Sequence, residues 1–100
     1  MFGTIGHCRL KPGTDAQFRA LMDEWKQTIR PTISGGVLEI IGNRAEDPGE
    51  TVFIALMQDK ATYRALADNP AQDAWYQRFA ELVEGEVRWE DIEAEITLQD

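Results

Sequence analysis

Asp59–Gly85, DKATYRALADNPAQDAWYQRFAELVEG, is the stretch on which the reading of this chain turns, because it gathers aromatic rings and polar groups onto one broken helix. The break is Asn69-Pro70. The proline ring has no N–H to give and pushes the preceding residue out of the α region, which suits a cap followed by a first helical residue. Gln72, three residues after Asn69, is spaced to close a capping box, and Asp73 complements the helix dipole. Trp75, Phe79 and Leu82 then keep the i, i+4, i+7 spacing of one face, with Tyr76 and Val83 beside them and Gly85 as a C-terminal stop. Such a stripe is either core or the wall of a ligand pocket, and the spacing is the same for both.

Working outward, Phe2–Leu10 (FGTIGHCRL) is a strand that ends at the turn Lys11-Pro12-Gly13. Thr14, with Gln17 at the capping-box position, starts a helix whose apolar face is Phe18, Leu21, Met22, Trp25 and Ile29, and Pro31 ends it. VLEIIGNR (37–44) and TVFIALMQ (51–58) read as a hairpin whose turn, 45–50, contains Asp47-Pro48-Gly49. After the broken helix, VRWEDIEAEITL (87–98) closes the chain as a strand, with Ile92, Ala94, Ile96 and Leu98 alternating against acidic neighbours. The order βαββαβ predicts an α+β, ferredoxin-like domain with an antiparallel sheet, spanning residues 1–100 as one unit. Both faces of the hairpin strands are apolar, and the helices can cover only one. A second copy of the sheet is expected on the other, making a homodimer.

Composition limits the function classes. The chain has 100 residues, 43% of them hydrophobic, enough for one core. A net charge of −8 repels phosphate backbones and anionic lipid surfaces, so neither nucleic acid nor membrane is an expected partner. No run approaches the ~20 apolar residues that cross a bilayer. Cys8 is the only cysteine, which excludes an internal disulfide and a zinc cluster and fits a reducing, cytoplasmic setting. The acidic series Glu84, Glu86, Glu90, Asp91, Glu93 and Glu95 alternates with apolar residues and reads as a solvated strand face, not a metal site.

Four short segments, in this order and at these spacings, carry a resemblance: Leu10-Lys11-Pro12-Gly13, Gly35-Gly36-Val37-Leu38, the Asp47-Pro48 turn, and Asp59-Lys60-Ala61-Thr62-Tyr63 leading to Asn69-Pro70. Together they resemble the antibiotic biosynthesis monooxygenase-like family of dimeric α+β barrels over nearly the whole chain. The resemblance implies a cofactor-independent monooxygenase acting on a small aromatic, quinol or polyketide-like metabolite. The alternative it implies is a non-catalytic dimeric barrel that binds a small apolar ligand. Family oxygenases often carry an asparagine on the first strand, where this sequence has Gly6, and many relatives carry a histidine after the helix-breaking proline, where it has Gln72. Both departures count against the oxygenase, and the second also counts against haem degradation, because no histidine is left on that helix to ligate iron.

His7, the sole histidine, and Tyr76 are the candidate catalytic residues, His7 as a general base. Strand parity sends Thr4, Gly6 and Cys8 toward the helices and His7 toward the opposite face, so His7 is either interfacial or, if a bulge inverts the parity, catalytic. Cys8, Trp25, Tyr63, Gln72, Trp75 and Phe79 are the candidate substrate-binding residues. Small side chains around Cys8 are expected to leave a gap beneath Tyr63, Trp75 and Tyr76, with Cys8 as an inert wall. No cofactor and no metal are expected.

Overall fold

The computed structural model describes residues 1–95. Within them, strand β1 (Phe2–Leu10) is followed by helix α1 (Asp15–Glu24), strands β2 (Val37–Arg44) and β3 (Asp47–Met57), helices α2 (Lys60–Ala67) and α3 (Pro70–Ala80), and strand β4 (Val83–Glu93). The strands form one antiparallel sheet in the order β2-β3-β1-β4. This is the ferredoxin-like α+β arrangement, with its second helix divided at Asn69-Pro70.

The pairing register assigns every strand residue to a face. Thr4 lies opposite Ala55 and Asp91, and Ala55 lies opposite Glu39. These four share the helix-covered side with the Phe53, Gly6 and Trp89 row. Phe53, Met57 and Cys8 are buried there with Phe18, Leu21, Trp25, Trp75 and Phe79. The opposite face carries Ile5, His7, Leu38, Ile40, Val52 and Ile54, and Ile40 on it is 51% exposed.

Several local expectations change. The Thr14 hydroxyl donates to the carbonyl of Lys11 at 2.7 Å, and its oxygen accepts from no helix N–H, so the expected cap does not form. Beyond Glu24 the helix widens into a π turn over Trp25–Ile29 and tightens into a 3-10 turn over Arg30–Thr32, so Pro31 lies inside the last turn and not after it. The hairpin turn is only Ala45-Glu46. Asp47-Pro48-Gly49 belongs to β3, where the register jumps from Asn43–Thr51 to Arg44–Asp47 and leaves 48–50 unpaired with β2. Pro48 has no N–H for a ladder, and a bulge is where a strand tolerates that. The last helix stops at Ala80, so Val83 and Gly85 are strand residues. Opposite Cys8 the register passes from His7–Arg88 to Arg9–Glu84, which places Gly85, Glu86 and Val87 in a bulge. Gly85 has φ +69°, a conformation a side chain disfavours. The expected strand residues Ile96 and Leu98 lie outside the described residues.

Candidate functional site

A cavity of about 410 Å³ opens between the sheet and the helices. Its floor is the cross-strand row Glu39, Ala55, Thr4, Asp91. The two central residues, Ala55 and Thr4, are small and leave space beneath the helices there. The two carboxylates stand at the ends of the row, about 14 Å apart over three strand spacings. Phe53 and Trp89 bound one side, and Trp25, Tyr63, Trp75, Tyr76 and Phe79 supply much of the helical roof. Trp75 stacks on Phe79 at 5.7 Å with a 2° interplanar angle, and Phe53 meets the same Phe79 edge-on at 5.5 Å. This aromatic layer holds its shape by packing.

Polar groups pin the roof. At the widening of α1 the Leu21 carbonyl accepts both the Trp25 backbone N–H and the Trp75 indole N–H, the latter at 2.7 Å. The Trp25 indole donates to Gln72 Oε1 at 2.8 Å. The capping box expected of Gln72 is therefore absent; Asn69 caps α3 with its own side chain, accepting from the Ala71 N–H at 2.9 Å. Tyr63 Oη donates to Asp91 Oδ1 at 3.1 Å, and burial together with that carboxylate raises the phenol above its ordinary range. Trp89 Nε1 donates to Tyr76 Oη at 3.2 Å. What remains for a ligand includes the Gln72 amide N–H groups, the Tyr76 O–H, the second oxygen of Asp91 and the Glu39 carboxyl, which alone of the two carboxylates has no hydrogen-bond or ion-pair partner among the described residues. Burial pushes the Glu39 carboxyl above the usual carboxylate range.

Comparison with solved structures places this geometry. SnoaB, a cofactor-independent oxygenase from Streptomyces nogalater, superposes with a TM-score of 0.75 at 14% identity, covering 99% of this chain and 97% of that one. Rv0793 from Mycobacterium tuberculosis gives 0.78 at 16% identity, covering 98% of each chain. A structure solved as an antibiotic biosynthesis monooxygenase gives 0.74 at 17% identity over 94% of this chain and 98% of its own. The fold is that of the antibiotic biosynthesis monooxygenase-like proteins. No protein-family model and no curated protein matches the sequence, so the comparison reaches the fold and stops there.

Within that fold the expected site residues divide. Trp25, Tyr63, Gln72, Trp75, Tyr76 and Phe79 all line the cavity. Cys8 does not: it is buried in the packed cluster with Phe18 and Phe79, and the gap expected beside it lies farther along β1, over Thr4. Burial, then Glu50, pushes its thiol up to about 11. His7 is on the helix-free face, with Nδ1 3.6 Å from Glu50 and Nε2 3.8 Å from Glu90. His7 and Tyr76 thus lie on opposite sides of the sheet and cannot act on one substrate in this cavity. The sequence reading placed Thr4 on the helix side, beside the expected gap, and missed Glu39, Trp89 and Asp91. Glu39 was within its reach, since a carboxylate sharing a strand face with Val37 and Ile41 is anomalous on parity alone. Trp89 explains the first-strand glycine: a Cβ on Gly6 would meet the indole ring at 2.5 Å.

Proposed function

We propose that this chain is a cofactor-independent monooxygenase of a small aromatic, quinol or polyketide-like metabolite, acting in the cavity between sheet and helices as a homodimer. The observation that carries the reading is the cavity itself, about 410 Å³ walled by aromatic rings with a few unengaged polar groups, in a fold shared with a cofactor-independent oxygenase. In such a reaction the substrate loses two hydrogens and gains one oxygen atom, and the second atom of dioxygen leaves with those hydrogens as water. The apolar wall favours this by excluding water around an electron-rich, ionised substrate, and Tyr76 and Gln72 supply hydrogen bonds to it. The apolar helix-free face supports pairing of two sheets. No described helix is long and apolar enough to cross a membrane, and the lone buried Cys8 fits a reducing cytoplasm.

Oxygen uptake over a panel of quinols and anthrone-like phenols tests the reading. The Tyr76→Phe variant should turn over the best substrate about a hundredfold more slowly if its hydroxyl stabilises the ionised form. No uptake above buffer with any substrate, with Tyr76→Phe indistinguishable from wild type, removes the oxygenase. The second reading, a non-catalytic binding dimer, is favoured by the Trp89 ring over Gly6 and by the engagement of Gln72 with Trp25. It expects a ligand that raises the melting temperature and is recovered chemically unchanged.

A further inference from the structure

Glu39 is the one carboxylate of the cavity floor that nothing in the fold employs. Asp91, at the other end of the same row, accepts the Tyr63 hydroxyl, and the Thr4 hydroxyl between them donates to the carbonyl of Glu90 at 3.1 Å. No Lys, Arg or His is among the described residues lining the cavity. His7, the base that composition suggests, is on the far side of the sheet. We propose that Glu39 is the proton acceptor of this cavity, and that the ligand it takes is a neutral aromatic bearing an ionisable hydroxyl, with aromatic carboxylates excluded.

The assignment rests on the proposed use of the cavity as the substrate site and deepens it. In the step it describes, the ligand O–H bond breaks, the proton passes to a Glu39 carboxylate oxygen, and the electron pair stays on the ligand oxygen as a phenolate conjugated with its ring. One negative charge moves from protein to ligand and none is created, so the apolar wall does not oppose the transfer as it would oppose charge separation. Desolvation of the Glu39 carboxyl makes it a stronger base toward a phenol than an exposed glutamate. The Tyr76 O–H and the Gln72 amide are the donors available to the phenolate. A ligand carboxylate, by contrast, would be desolvated between two protein carboxylates with no cation to meet it.

The test uses the full chain, its Glu39→Gln variant and, as a second variant of matched length without an acceptor, Glu39→Met. Binding of β-naphthol and β-naphthoate is read by quenching of tryptophan fluorescence, and turnover by oxygen uptake with the best quinol as a function of pH. Wild type should prefer β-naphthol over β-naphthoate by at least about tenfold, and both variants should narrow that preference by about tenfold. Both should lose about a hundredfold in kcat with KM within about threefold, together with the acidic limb of the pH profile. Variants that keep the wild-type rate, pH limb and anion exclusion overturn the Glu39 assignment and leave the cavity as the site. A wild type that binds neither probe and consumes no oxygen overturns the cavity reading, and Glu39 with it.

Discussion

Cys8 illustrates how one residue's surroundings set its chemistry. The residue is 5% exposed, and burial, then Glu50, pushes its thiol up to about 11, so at neutral pH it is a small apolar group and not a nucleophile. In the native protein, iodoacetamide at mildly alkaline pH should label it far more slowly than in the unfolded chain, which should take up one equivalent at once; comparable rates would place Cys8 at the surface. Folding raises this pKa, so the stability it contributes is complete below the ordinary value of 9.0 and is lost as pH rises toward about 11, where the unfolded thiolate draws the equilibrium. Cys8→Ser should flatten that alkaline decline, measured as melting temperature against pH.

At the scale of elements, the split between α2 and α3 is what opens the roof of the cavity. α2 is capped by Asp59, whose carboxylate accepts from the Thr62 N–H at 2.8 Å and its hydroxyl at 2.7 Å, and these bonds hold that carboxyl below its ordinary range. α3 restarts on the Asn69 cap with Pro70 in its first turn; that turn carries Gln72 to the cavity and the next carries Trp75 and Tyr76. Two indole hydrogen bonds, Trp25 to Gln72 and Trp75 to Leu21, tie α3 to the widened turn of α1. Arg78 adds an exposed ion pair to Glu24 at 2.7 Å, which contributes little by comparison. Asn69→Ala removes the cap and should cost about 1 kcal/mol in denaturant melts. Because the cap fixes where α3 begins, the same variant should weaken ligand binding; a melt unchanged from wild type would mean that Pro70 alone sets the break.

For the molecule as a whole, the sheet has one face under helices and one face of Ile5, Leu38, Ile40, Val52 and Ile54. Phe53 and Ile54 are neighbours on β3 and point to opposite faces. Phe53→Asp should unfold the subunit, since it buries an unpaired charge among Phe18, Phe79 and Trp89. Ile54→Asp should leave circular dichroism intact and dissociate the proposed dimer in light scattering; a wild-type monomer at micromolar concentration would end the pairing of sheets. The order of elements, the parity of β1 and the break at Asn69-Pro70 were legible in the sequence, because periodicity, caps and prolines act between residues a few positions apart. The bulges at 48–50 and 85–87 were not, since each depends on register against a strand distant in the chain. Nor were the partners that shape the cavity: Trp25 with Gln72, 47 positions apart, Trp89 over Gly6, and Glu39 facing aromatic rings from other elements. Local chemistry determined which elements form, and only packing decided which side chains they bring to one place.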